Sequence, residues 1–112
     1  MQYKLLASDF DNTLVPFGEP YPRPAVVKAV KKFQAAGGKF VLNTGRAWCA
    51  VKGREQLGGI RPDYAITCNG ACVVDHTGTL VAEHPLSNEE MYALVDFCED
   101  YNYPLQFNFL DA

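Results

Sequence analysis

The sequence predicts an α/β fold: a Rossmann-like parallel sheet, followed by the start of a second α/β unit. Three observations predict it. Apolar runs within Leu5–Ala7, Phe40–Leu42 and Ala65–Ile66 each end in polar residues, as strands buried in a sheet do. Between the first two runs Val26, Val30 and Phe33 recur at i, i+4 and i+7, the stripe of an amphipathic helix. A strand, a crossover helix and a second strand make a βαβ unit with parallel strands. After Asn69-Gly70 the pattern changes to a hairpin, a helix and an alternating strand.

The bulk composition bounds the function. At 112 residues, 48% hydrophobic and 21% charged, the chain is globular and of one ordinary domain's size. A net charge of −3 without a long basic run argues against nucleic acid as partner. No apolar segment approaches the ~20 residues that span a membrane. Met1-Gln2-Tyr3-Lys4 runs straight into a strand without a signal-peptide pattern, so a cytoplasmic protein is expected. Cys49, Cys68, Cys72 and Cys98 sit in apolar segments and are expected reduced and packed. The spacing of Cys68 and Cys72 suits zinc, but no second pair or neighbouring His in the sequence completes such a site.

Each element has its own signals. The first strand runs into Asp9-Phe10-Asp11. Asn12 to Pro22, with three prolines and a glycine, is an irregular loop beside the two acids, either a flap or a plain connector. Pro24 fits the first turn of a helix, and Gly37-Gly38 ends it. Lys28, Lys31 and Lys32 lie off the apolar stripe, on a solvated face. A second strand, Lys39 to Thr44, leads through Gly45-Arg46 into a helical segment from about Ala47 to Leu57, which Gly53 weakens. Asp63 to Cys68 is a third strand. Cys72–Asp75 and Thr79–Glu83 flank His76-Thr77-Gly78 as a hairpin, with His76 and His84 expected at the surface. Ser87 and Glu90 form a capping box for a helix with Met91, Leu94, Val95 and Cys98 on one stripe. Asn102 and Pro104 stop that helix, and Leu105, Phe107 and Phe109 alternate as a half-buried strand. A module boundary is placed at Asn69-Gly70, dividing residues 1–69 from a ββαβ unit over 70–112.

The chemistry gathers at the strand ends. Residues i and i+2 of a strand point the same way, so Asp9 and Asp11 can face one small volume. Two anions held together need a shared cation or proton. Oxygen ligands of this kind suit Mg²⁺, which takes one or two carboxylates and keeps waters. Parallel neighbours put their C-terminal ends together, so Thr44-Gly45-Arg46 falls beside the acids. A hydroxyl, an open glycine N–H and a guanidinium make a phosphate cradle. Plainer readings stand beside these. The acids also suit a turn, Thr44 an N-cap, Arg46 a surface ion pair and Asn69-Gly70 a turn. The Asn69 amide is also placed to reach the site from the third strand's end.

These residues resemble the haloacid dehalogenase (HAD) superfamily of phosphatases, in its Cof-type branch. Asp9-Phe10-Asp11-Asn12-Thr13 is similar to the first motif, Asp-x-Asp-x-Thr. Asn43-Thr44-Gly45-Arg46 is similar to the second, and Cys68-Asn69-Gly70-Ala71 resembles the Asn-Gly-Ala that leads into the branch's α/β cap. Asn12 stands where the branch usually has Gly, and Asn also tolerates a left-handed backbone.

The resemblance implies a Mg²⁺-dependent phosphomonoester hydrolase. Asp9 would be the nucleophile and Asp11 the general acid and base. The Asp9 carboxylate and the Asp11 carbonyl would be metal ligands. Thr44 and the Gly45 N–H would hold the phosphoryl group, with Arg46 and Asn69 beside them, and Thr13 would support the loop. The substrate would be a small phosphorylated metabolite such as a sugar phosphate. The third-motif lysine and the fourth acidic motif of the family are not in this sequence, so the chain reads as the N-terminal part of an incomplete HAD core with the start of its cap. It is expected to be inactive alone, and the bare edge of its first strand to be covered by another copy in a homo-oligomer. Two alternatives stand: a non-catalytic module that binds phosphate, metal or a partner chain, and a receiver-like phosphoacceptor domain. The adjacent Asp9-x-Asp11 fits the phosphatase better than the receiver.

Overall fold

Three short parallel strands carry the first half of the chain. In the computed structural model, which describes residues 2–51 and 57–108, β1 (Leu5–Asp9) pairs with β2 (Lys39–Asn43), and β2 with β3 (Tyr64–Thr67). The register runs from Leu5 against Lys39 to Asp9 against Asn43, and Asn43 faces Ile66 on the other side. Helix α1 (Pro24–Ala35) makes the crossover from β1 to β2, with Pro24 in its first turn. Gly37, at φ +94°, takes the left-handed turn that follows it.

β4 (Cys72–Asp75) and β5 (Leu80–Glu83) then turn back as a hairpin. They extend the same sheet, giving five strands in the order β1-β2-β3-β4-β5, with β4 and β5 antiparallel. The change of pattern at Asn69-Gly70 therefore marks a reversal of strand direction within one sheet. Helix α2 (Asn88–Tyr101) follows, with the capping box formed: the Glu90 N–H donates to Ser87 Oγ at 3.1 Å, and the Ser87 N–H to Glu90 Oε1 at 3.1 Å. Asn102, at φ 57°, caps its end. No residue of α2 is buried, so its apolar stripe has little to pack against among the described residues.

β1 is the bare edge strand that the incomplete core implies: with β2 as its one partner among the described residues, it leaves its apolar run open, Leu5 59% and Leu6 42% exposed. The segment after Arg46 opens as a 3-10 turn, Trp48–Ala50, and is helical at Leu57, with Gly53 outside the described residues. The expected strand over Leu105–Phe109 is corrected: residues 103–108 form no strand, and Phe109 lies outside the described residues. The other expected elements stand in place.

The core sits on β2. Phe40 and Leu42 are fully buried and pack with Val30 of α1, Leu14, Ala65 and Val74. An apolar groove of about 680 Å³ remains open along β1 and α1, lined by Leu5, Leu6, Val26, Val30 and Phe33 among others.

A carboxylate pins the lower end of this sheet. Asp63 Oδ2 accepts from the Phe40 N–H at 2.8 Å and from Gln34 Nε2 at 3.1 Å, and Lys39 Nζ lies 3.7 Å from Asp63 Oδ1. Burial pushes the Asp63 carboxyl up, but these donors outweigh it and hold it below its ordinary 3.8. A carboxyl depressed in the folded state adds stability above its unfolded pKa and loses it as the pH falls through the folded value. The urea midpoint is therefore expected to fall as the pH drops below about 4. Asp63→Asn is expected to lower the midpoint at pH 7 and to flatten this acid slope in urea titrations at both pH values.

Candidate active site

The site is built at the C-terminal ends of β1 and β2. Because Asp9 pairs in register with Asn43, the chain beyond each strand emerges on the same edge. After Asp9 the chain folds back on itself: the Leu14 N–H donates to the Asp9 carbonyl at 3.2 Å and the Val15 N–H to the Phe10 carbonyl at 3.0 Å. That tight turn requires a left-handed residue, and Asn12 supplies it at φ 62°. Thr13 Oγ1 then reaches back to Asp9 Oδ2 at 3.3 Å. Thr13, read from sequence as a loop support, touches the acid itself.

The two acids have different surroundings. Asp11 is held by Arg46 in a two-point pair, with Nε on Oδ2 and the second guanidinium nitrogen on Oδ1, both at 2.8 Å. The guanidinium lies over the Phe10 ring, 5.3 Å from its centroid. This pairing with Arg46 holds the Asp11 carboxyl below its usual range, against a smaller opposing effect of burial. The Asp9 carboxylate has the Thr13 hydroxyl as its one side-chain hydrogen-bond partner among the described residues.

Thr44 is 4% exposed, and its Oγ1 accepts from the Arg46 N–H at 3.0 Å. The hydroxyl thus shapes the turn and keeps its own proton to donate. The end of β3 is laced to this turn: the Thr44 N–H donates to the Ile66 carbonyl, the Asn69 N–H to the Thr44 carbonyl and the Cys68 N–H to the Arg46 carbonyl, at 2.9, 3.1 and 3.0 Å. Asn69 itself sits at φ 55° in a turn. Its Oδ1 lies 3.0 Å from where a Cβ on Gly45 would be, so glycine at 45 leaves room for the Asn69 amide. Asp11, Arg46, Thr44, Gly45 and Asn69 are thereby linked in one network, with Asp9 beside it through the β1–β2 register.

The loop after Asn12 contributes as well. Glu19, Pro20 and Tyr21 join Phe10, Asp11, Val15 and Arg46 around a hollow of about 380 Å³, and Arg23 anchors Glu19 at 3.1 Å. The loop therefore lies over the Arg46–Asp11 pair. The parts that sequence reasoning missed are Phe10 as the shelf under Arg46, and Glu19 and Tyr21 in the wall. Phe10 is buried, 4% exposed, in the turn after β1, so strand alternation gave no signal for it.

An α/β sheet with acids, a hydroxyl and a guanidinium at its parallel strand ends defines a class of proteins with a ligand site on that edge. The chain belongs to one family of that class, the haloacid dehalogenase-like hydrolases, whose family model matches residues 6–112. The fold is similar to that of a phosphatase of the haloalkanoate (HAD) enzyme superfamily from Bacteroides thetaiotaomicron (24% identity, TM-score 0.78, 89% of this chain and 36% of that one). It is similar to a haloacid dehalogenase-like hydrolase from B. subtilis (29% identity, TM-score 0.75, 88% and 34%). It also resembles a sugar phosphatase of HAD subclass IIB (27% identity, TM-score 0.66, 88% and 38%). The chain spans about a third of the length of these structures. The comparison with curated proteins gives no match. Among the described residues no helix is long and apolar enough to cross a membrane.

Proposed function

We propose that this chain carries the nucleophile and the phosphate-holding half of a phosphomonoester hydrolase site, acting on a small phosphorylated metabolite such as a sugar phosphate. The observation that carries this reading is the unequal treatment of two neighbouring acids. Asp9 is left with one weak donor, while Asp11 is gripped by Arg46. The pair with Arg46 favours the ionised form of Asp11, the form that takes a proton from water, so the acid step requires that pair to open. Likeness to a sugar phosphatase at 27% identity supports the substrate class.

Mg²⁺ is the cofactor this reading implies. Among the described residues no cluster of three or more His, Cys, Asp or Glu side chains is placed to hold a metal. The Asp9 carboxylate and the Asp11 main-chain carbonyl would be the ion's two protein ligands, with waters in the remaining positions. When bound, the ion supplies positive charge against the phosphoryl oxygens.

The chain's own residues supply the rest. An Asp9 oxygen attacks phosphorus and forms an aspartyl-phosphate as the bond to the leaving oxygen breaks. Asp11 gives that oxygen its proton, then takes one from the water that attacks the aspartyl-phosphate and frees Asp9. For Asp11 to carry the proton, its two-point contact with Arg46 must loosen as substrate enters. The Thr44 hydroxyl and the Gly45 N–H hold the phosphoryl oxygens meanwhile, and the loop carrying Glu19 and Tyr21 limits access of water.

The test is capture of fluoroberyllate, which mimics a phosphoryl group on a carboxylate. The chain with Mg²⁺, beryllium and fluoride is expected to give a bound ¹⁹F NMR signal that requires Mg²⁺. A folded chain that binds inorganic phosphate but forms no such adduct would be the non-catalytic binding module instead.

A further inference from the structure

A second concave site lies away from the acids. It is a cleft of about 650 Å³, walled by α1, the segment before β3 and the β4–β5 turn. That size is ordinary for a small-molecule site. It sits at the edge where β3 begins, since Asp75, the last residue before the turn, pairs with Tyr64. The acids are at the opposite edge, where β1 ends.

The cleft is held in shape by specific contacts. Gln34 Nε2 donates to the Arg61 carbonyl at 2.8 Å, fixing the segment before β3 to α1. Trp48 Nε1 lies 3.1 Å from where a Cβ on Gly78 would be, so the indole packs on the hairpin turn and glycine at 78 lets it in. Leu57 and Ile60 are buried and give an apolar floor beside the Trp48 ring.

Among the described residues its charge is one-sided: the titratable side chains that line it are Lys31, Arg61 and His76, on a chain whose net charge is −3. Two neighbouring carboxylates among the described residues are occupied. Asp75 Oδ1 accepts from the Thr77 N–H, the Thr77 hydroxyl and the Thr79 N–H, at 2.8, 2.6 and 3.1 Å. Asp63 is turned to the Phe40 N–H, Gln34 and Lys39. Two permanent cations, an imidazole and a half-buried indole over an apolar floor match a planar ligand that carries concentrated negative charge.

We propose that this cleft binds a small planar polyanion of the nucleoside diphosphate type, its base against Trp48 and its phosphates between Lys31 and Arg61. The site is independent of the hydrolase reading, because it shares no residue with the acid network.

Trp48 is the single tryptophan of the chain, so its fluorescence reads this cleft directly. Titration with ADP is expected to give a saturable change in emission. Adenosine is expected to give none, and pyrophosphate to bind at least about tenfold more weakly than ADP, for want of the stacking contact. The double variant K31A/R61A is expected to weaken ADP at least about tenfold, through two lost charge-assisted contacts. Asp9→Asn is expected to leave the titration unchanged, which separates this cleft from the acid site. Because loss of emission change could also follow from altered stacking, calorimetry of Trp48→Phe is the second measurement, and binding is expected to persist in it. No saturable response to ADP, equal binding of pyrophosphate and ADP, or an affinity untouched by K31A/R61A would each overturn the proposal.

Discussion

Asp9→Asn is expected to eliminate the fluoroberyllate adduct. The amide keeps the shape of the side chain but cannot form the acyl bond to phosphorus. The substitution is mild for the fold, because the exposed Asp9 side chain makes one 3.3 Å contact, from Thr13. Asp11→Asn separates the two roles. It removes the proton carrier and leaves the nucleophile, so the adduct on Asp9 is expected to remain. It also leaves Arg46 without the carboxylate that now holds both of its nitrogens. That exposed pair contributes at most about 1 kcal/mol to folding, so the urea midpoint should barely move. Equal loss of the adduct in both variants would mean that the acids act as one unit and that the division of labour is wrong.

How far the sequence carried depends on what each residue type can report. The parallel crossover puts the ends of β1 and β2, Asp9 and Asn43, on one edge, whereas Asp11 lies in the turn beyond β1, where strand alternation no longer sets its direction. Asn12 was legible because the tight turn back onto the Asp9 and Phe10 carbonyls needs a left-handed residue, and Asn tolerates it. The partner of Arg46 was not. A guanidinium beside acids can grip a phosphate or an acid, and the sequence says nothing about which oxygen it meets. Only the coordinates show both nitrogens on Asp11. The apolar run of β1 reports the preference of its side chains, not the number of strands beside it. The alternation at Leu105 and Phe107 is a preference of the same kind, and residues 103–108 form no strand. The lysine at 31 looked like an ordinary solvated residue until the segment before β3 placed Arg61 on the same cleft.

The site depends on a small core, and Phe40→Ala is expected to show how small. Phe40 is fully buried on β2, between α1 and the sheet. Removing the ring is expected to cost about 3–5 kcal/mol through lost transfer energy and the cavity left behind. A domain of this size is stable by only about 5–15 kcal/mol in total, so a large share of the folded population's margin disappears. The expected readout is a fall in melting temperature of at least about 10 °C, with a matching loss in the urea midpoint. Val81→Ala serves as the contrast. Val81 is 56% exposed on β5, and its loss should cost about 0.5 kcal/mol or less. Position matters more than area here. Phe40 stands three residues before Asn43, the partner of Asp9, so loosening it frees the one strand that fixes Thr44 and Arg46 against the acids. Just below its melting point, Phe40→Ala should therefore lose fluoroberyllate capture in proportion to its unfolded fraction. If capture is instead lost well below the melting transition, β2 registers the site through local order that global stability does not measure. Hydrogen exchange at Asn43 and Thr44 would distinguish the two.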